Sequence, residues 1–78
     1  MPVDEQSIRE AWEAILEVPV TDDTDFFENG GHSLLAVELS MAIEDKLGIE
    51  PPPDLVYRRR TFREYAVAPE FDRAANHE

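Results

Sequence analysis

The chain has 78 residues, with 18 Asp or Glu against 7 Lys or Arg, a formal net charge of −11. That balance repels nucleic-acid phosphates and favours basic partner surfaces, while an apolar content of 42% is too high for a disordered acidic tail. The length allows one small domain, residues 1–78, and the absence of cysteine removes disulfides and any thiolate of the chain's own, so thiol chemistry here requires a cofactor.

The N-terminus, Met1-Pro2-Val3-Asp4-Glu5, is polar and has no apolar signal region. No apolar run approaches the length of a membrane span. A soluble, cytoplasmic, monomeric protein with no nucleic-acid or membrane partner is expected.

From Asp4 to Val18 the apolar residues Ile8, Ala11, Trp12, Ile15, Leu16 and Val18 fall on one face of a helix. Asp4 is placed to cap it, and Pro19 ends it. Residues 19–31 show no helical period; a loop this long is functional or is pinned by its own side chains. Its apolar anchors are Val20, Phe26 and Phe27, and at least one of the two phenylalanines is expected to be buried.

A second helix is predicted from about Ser33 to Leu47. Leu35, Leu39, Ala42, Ile43 and Leu47 make one apolar stripe; Leu34, Val37 and Met41 make another. Two stripes exceed what one core contact needs, so the surplus stripe either packs on a further helix or lies exposed for a partner. Gly48 stops the helix. Pro51-Pro52-Pro53 is stiff and extended, and residues 54–58 allow one short helical turn anchored by Leu55, Val56 and Tyr57. Thr61, with Glu64 three residues on, reads as a capping box for a last helix that carries Phe62, Tyr65 and Ala66 and ends before Pro69. The sum is all-α: a small four-helix bundle of three longer helices and one short one, with a long loop between the first two. The ordered core is expected over about 4–68, and about 71–78 as a flexible tail.

The segment Gly30-Gly31-His32-Ser33-Leu34 offers a hydroxyl at the positive end of a helix, beside two residues without bulk. A hydrolase nucleophile elbow needs Gly-x-Ser-x-Gly after a strand; here the second glycine and the strand are missing. A triad also needs a held base, but His32 is adjacent in sequence and His77 lies in the tail, so no catalytic residue is expected. The acidic loop fails as a calcium site, because a register starting at Asp23 puts Asp25 at position three but Phe27 and Glu28 at positions five and six. No metal site is expected. Two readings of Ser33 remain: a capping serine after a Gly turn, or a modification site whose phosphate would sit at a helix N-terminus.

The run Asp25-Phe26-Phe27-Glu28-Asn29-Gly30-Gly31-His32-Ser33-Leu34-Leu35-Ala36 closely resembles the core motif of peptidyl carrier proteins, the thiolation domains of nonribosomal peptide synthesis, within the acyl carrier protein superfamily. Fatty-acid and polyketide carriers typically have Asp-Ser-Leu at this point, so Gly-Gly-His-Ser-Leu resembles the peptidyl branch. Trp12, Leu16, Leu47-Gly48-Ile49, Thr61-Phe62 and Tyr65-Ala66 fall at matching places, and the resemblance covers roughly residues 5–68.

The resemblance implies that Ser33 is esterified with 4′-phosphopantetheine from coenzyme A by a Mg²⁺-dependent phosphopantetheinyl transferase. The arm's thiol would then hold an aminoacyl group as a thioester, and the chain would be a carrier with no catalysis of its own. It further implies docking with adenylation enzymes and with condensation or tailoring enzymes, through His32, Leu34, Val37, Met41 and Val56, with Arg58 and Arg59 alongside. The chain departs from the family where His-Pro often precedes the Thr of the last helix: here Arg59-Arg60 stand instead. Arg58, Arg59, Arg60 and Arg63 either meet an acidic partner or coenzyme A phosphates, or pair internally with carboxylates. A chain that begins with Met and holds no second domain is expected to be free-standing and to feed nonribosomal peptide or hybrid natural-product (antibiotic) synthesis. The alternatives are a carrier of a non-amino-acid acyl group in a polyketide-type pathway and an acidic interaction module whose Ser33 is only a cap.

Overall fold

The structure, a computed structural model, describes residues 5–71. Four helices follow in chain order: α1 (Glu5–Leu16), α2 (Ser33–Leu47), α3 (Leu55–Arg58) and α4 (Phe62–Ala66). The described residues contain no strand, and a further helical turn follows at 69–71. The expected cap Asp4, the tail beyond Phe71 and His77 lie outside the described residues.

α1 buries Ile8, Ala11, Trp12 and Leu16, the face its periodicity predicts. It ends at Leu16 rather than running to Val18. The proline at 19 biases Val18 away from helical backbone, so the chain must leave the helix before it. Glu17 makes the exit in the left-handed region at φ 60°, its N–H still donating to the Glu13 carbonyl at 2.8 Å. Val18 then folds back against the core.

α1 lies against both α2 and α4. On α2 the fully buried residues are Ala36, Leu39, Ser40 and Ile43. The core face is therefore rotated from the predicted stripe: Leu35, Ala42 and Leu47 flank it, only partly buried. Ala36 and Ser40, one turn apart, are small, which suits a face pressed close to a neighbouring helix. Gly48 closes α2 at φ 73°, its N–H donating to the Glu44 carbonyl at 2.8 Å.

Trp12 is the centre of the core. Its ring meets Phe26, Phe62 and Tyr65 edge to face, with centroids 5.4, 5.5 and 5.4 Å away, the arrangement the aromatic quadrupole prefers. Phe71 is buried as well and packs on Tyr65 at 5.4 Å, so the core extends past residue 68. Thr61 caps α4 as predicted, its Oγ1 accepting from the Glu64 N–H at 3.4 Å.

The loop between α1 and α2 is tied down at several points. The Val20 carbonyl accepts from Arg9 at 2.7 Å, and the Val20 N–H donates to Glu13 at 3.2 Å. Phe26 N–H donates to the Arg60 carbonyl at 2.8 Å and Phe62 N–H to the Thr24 carbonyl at 2.9 Å. These two bonds flank the isolated bridge between Asp25 and Thr61, which locks the middle of the loop to the start of α4.

Tyr65 buries its hydroxyl with no hydrogen-bond partner among the described residues. Burial pushes the phenol well above its ordinary pKa, and the Glu70 carboxylate adds to the rise. In the unfolded chain the phenol loses its proton near pH 10; the folded chain holds it longer. Above that pH the unfolded state binds fewer protons, so stability falls as pH rises from about 10 upward. Tyr65→Phe is expected to equal or exceed the wild type in stability at pH 7, by about 0–2 kcal/mol, and to move the onset of alkaline unfolding upward in a circular-dichroism pH titration.

Candidate functional site

The site is built from the end of the long loop and the first turn of α2. Asp25 organises the approach. Its Oδ1 accepts from the N–H groups of Phe27 and Glu28 at 2.9 and 3.0 Å, and its carbonyl accepts from the N–H and the side-chain amide of Asn29 at 3.2 and 2.9 Å. Gly30 follows at φ 98°, where side chains are strained. Gly31 N–H then donates to the Phe26 carbonyl at 2.9 Å. A Cβ on Gly31 would land on the Phe26 ring and 2.6 Å from the Phe26 carbonyl oxygen. The glycine pair thus lets the loop lie directly on a core aromatic, besides leaving the following hydroxyl open.

His32 is the N-cap of α2, with extended backbone at φ −151° and no capping bond from its side chain. Its carbonyl accepts the first helical bond, from Ala36 N–H at 2.9 Å. Ser33 is therefore the first helical residue and not the cap. It is exposed, and its hydroxyl has no partner among the described residues. The N–H groups of this first turn have no intrahelical acceptor, and the macrodipole favours an anionic group there by roughly 0.3–1 kcal/mol. An exposed, unengaged hydroxyl at such a position suits a phosphodiester linkage. No group of acidic or histidine side chains able to hold a metal occurs among the described residues.

The surplus stripe on α2 faces solvent: Leu34 is 62% exposed, Val37 43% and Met41 55%. Val56, expected beside it on the partner-facing surface, is instead 1% exposed and belongs to the core. α3 is a single turn whose Leu55 and Val56 point inward, so it shows Tyr57 and Arg58 to solvent, and its exposed apolar residue is Tyr57, 50% exposed. The sequence pattern makes Tyr57 an anchor and the structure turns it outward; in a four-residue helix, periodicity is too short to separate the two faces.

The arginines pair internally. Arg58 meets Asp54 at 3.6 Å and Glu70 at 3.4 Å, and Arg59 donates to the Glu64 carbonyl at 3.3 Å. Arg60 meets Asp25 at 3.5 Å, and Arg63 meets Asp22 at 3.0 Å. These side chains are largely exposed, so each pair contributes only ~0–1 kcal/mol; their common effect is to hold the long loop and α3 to α4. The Phe27 ring lies against Tyr57, centroids 4.8 Å apart, with the Arg60 guanidinium 5.2 Å from the Phe27 centroid. These three residues line an open pocket of about 220 Å³.

Comparison with known proteins agrees with this geometry. The family model described as phosphopantetheine attachment site matches residues 6–66. A hybrid PKS-NRPS synthetase from Talaromyces variabilis is 35% identical over 86% of the chain, and L-2-aminoadipate reductase from Saccharomyces cerevisiae is 32% identical over 88%. Pyochelin synthetase PchE from Pseudomonas aeruginosa is 40% identical over 73% of the chain. The chain spans only 2%, 5% and 4% of these three relatives, respectively. The crystal structure of holo T3CT shares the fold, with a TM-score of 0.69 at 22% identity, covering 86% of this chain and 97% of that one. The chain belongs to the phosphopantetheine attachment family, and is a non-catalytic helical carrier domain for 4′-phosphopantetheine.

Proposed function

We propose that Ser33 is the attachment residue and that the domain holds an aminoacyl group for nonribosomal peptide or hybrid natural-product synthesis. The observation that carries this reading is the free hydroxyl of Ser33 at the start of α2, with the cap position already taken by His32. A phosphopantetheine arm supplies the thiol on which the cargo is held as a thioester, which a chain without cysteine cannot. The chain's own residues present that arm: Asp25 sets the turn, Gly31 lets it sit on Phe26, and the first turn of α2 accommodates the phosphate. The aminoacyl class is supported by the Gly-Gly-His-Ser-Leu pattern and by relatives named as peptide synthetases. The relative named as a hybrid PKS-NRPS synthetase favours, as second reading, a non-amino-acid acyl cargo.

Incubation with coenzyme A, Mg²⁺ and a broad-specificity phosphopantetheinyl transferase, followed by intact-mass measurement, tests the attachment. One phosphopantetheine equivalent is expected, and no gain overturns the reading. A panel of adenylation enzymes offered to the primed protein then separates the two cargo classes.

Docking of the transferase, adenylation and condensation or tailoring enzymes is assigned to the exposed stripe Leu34, Val37 and Met41, with exposed His32 just before it in the chain; Arg58 and Arg59, being paired internally, are left out of it. Met41→Asp is expected to keep native helicity and a stability within ~0.5 kcal/mol, as exposed positions do, while slowing aminoacylation about ten-fold or more, the loss of one buried interface anchor. Loss of folding in that variant would sink the docking assignment.

A further inference from the structure

We infer that Arg60 is a positioning residue for the loading of Ser33: its guanidinium holds the turn at 25–31 in the form that the transferase takes up. This rests on Ser33 being the attachment residue. Arg60 engages three consecutive loop residues, each in a different way. Its Nε meets the Asp25 carboxylate at 3.5 Å. Its carbonyl accepts from Phe26 N–H at 2.8 Å. Its guanidinium carbon lies 5.2 Å from the Phe27 ring centroid. The same three residues hold the next stretch of chain. The carbonyls of Asp25, Phe26 and Phe27 accept from the N–H groups of Asn29, Gly31 and Gly30 at 3.2, 2.9 and 3.3 Å. Gly31 stands two residues before Ser33. A continuous set of contacts therefore runs from Arg60 to the backbone that presents the hydroxyl.

The side chain supplies what its own main chain cannot. Asp25 Oδ1 is occupied by the N–H groups of Phe27 and Glu28, while Oδ2 faces the Arg60 guanidinium. The Asp25 side chain is mostly buried, and a buried carboxylate depends on a partner more than an exposed one does. The guanidinium also lies over the Phe27 ring, whose carbonyl holds Gly30. A proline before the cap Thr61, the residue often found there in related carriers, would keep the carbonyl and lose both other contacts. Loop turns open at little cost, so removing the guanidinium enlarges the open share. A substrate only partly in its competent form binds more weakly in proportion. The effect therefore falls on KM for the carrier, and kcat, set inside the bound complex, stays.

The test uses the full chain with coenzyme A, Mg²⁺ and a broad-specificity transferase. Intact mass should show one phosphopantetheine equivalent on wild type and none on Ser33→Ala. Arg60→Gln is expected to raise KM for the carrier about two- to five-fold at unchanged kcat, the range of an exposed ion pair and cation–π contact. In the same variant, NMR hydrogen exchange at the Gly31 amide should quicken by a similar factor, with the Trp12 and Leu39 amides exchanging as in wild type. Arg60→Lys keeps the charge but not the flat fork, and should fall between. Arg58→Gln removes the same charge from a residue that pairs with Asp54 and Glu70 instead, and should match wild type in both measurements. A raised KM with unchanged Gly31 exchange makes Arg60 a direct transferase contact and overturns positioning; faster exchange with unchanged KM overturns it too. Equal effects in Arg58→Gln and Arg60→Gln reduce the result to net charge and also overturn it. These three outcomes leave Ser33 standing, whereas no mass gain on wild type, or an equal gain on Ser33→Ala, ends the attachment reading and this inference with it.

Discussion

Ser33→Ala is expected to abolish phosphopantetheine loading outright and to leave the fold untouched. The first effect follows because no other Ser or Thr among the described residues stands exposed as the first residue of a helix: Ser7 lies inside α1 and is half-buried, Thr21 and Thr24 bond each other, Ser40 is buried on α2, and Thr61 is engaged in capping α4. The second follows from exposure and from the cap lying at His32. A capping serine replaced by alanine costs about 0.5–2 kcal/mol. An exposed residue without partners changes stability within ~0.5 kcal/mol, and alanine is the better helix former. Urea unfolding beside intact-mass measurement therefore separates the two readings of this residue. A variant that loads normally ends the attachment reading; one that loses a full kilocalorie or more restores the cap.

Phe26→Ala is expected to have the largest effect on the fold and to carry the site down with it. Phe26 is fully buried, edge to face with both Trp12 and Phe27. Truncating a buried phenylalanine costs about 3–5 kcal/mol, part transfer and part cavity. A domain of this length has a total of only ~4–12 kcal/mol, at 0.05–0.15 kcal/mol per residue. The loss is aimed at the functional loop, because Gly31 lies on the Phe26 ring and donates to its carbonyl. Denaturant unfolding should show the destabilisation, and the transferase reaction should slow even at low temperature where the variant remains folded. A stability loss below about 1 kcal/mol would contradict the packing described for the loop.

Much of this was legible from neighbours in the chain. The bounds of α2, the stop at Gly48 and the cap at Thr61 follow from helix periodicity and end chemistry, whereas for Leu34, Val37 and Met41 the pattern left packing and exposure both open, and the structure shows them exposed. Where the elements are short or the partners distant, local pattern was insufficient. The four residues of α3 could not show that Val56 turns inward and Tyr57 outward. The rotation of the α2 core face toward Ala36 and Ser40 depends on how close the neighbouring helices come, which no property of α2 alone encodes. The choice between a partner-facing and an internally paired arginine set depended on carboxylates as far away as Asp22, 41 positions before Arg63.

By itself, the sequence determined that this is a small helical domain offering one serine at the start of a helix, because periodicity, caps and the motif around Ser33 are properties of adjacent residues. Only the tertiary structure decided that His32 and not Ser33 holds the cap position, that Gly31 is required by the Phe26 ring, and that Phe27 lies against Tyr57 with Arg60 over its ring. Each of these is a contact or backbone geometry imposed when the long loop closes on the core, and the closing bonds, Phe26 to Arg60 and Phe62 to Thr24, join segments too far apart in the chain for any local pattern to announce.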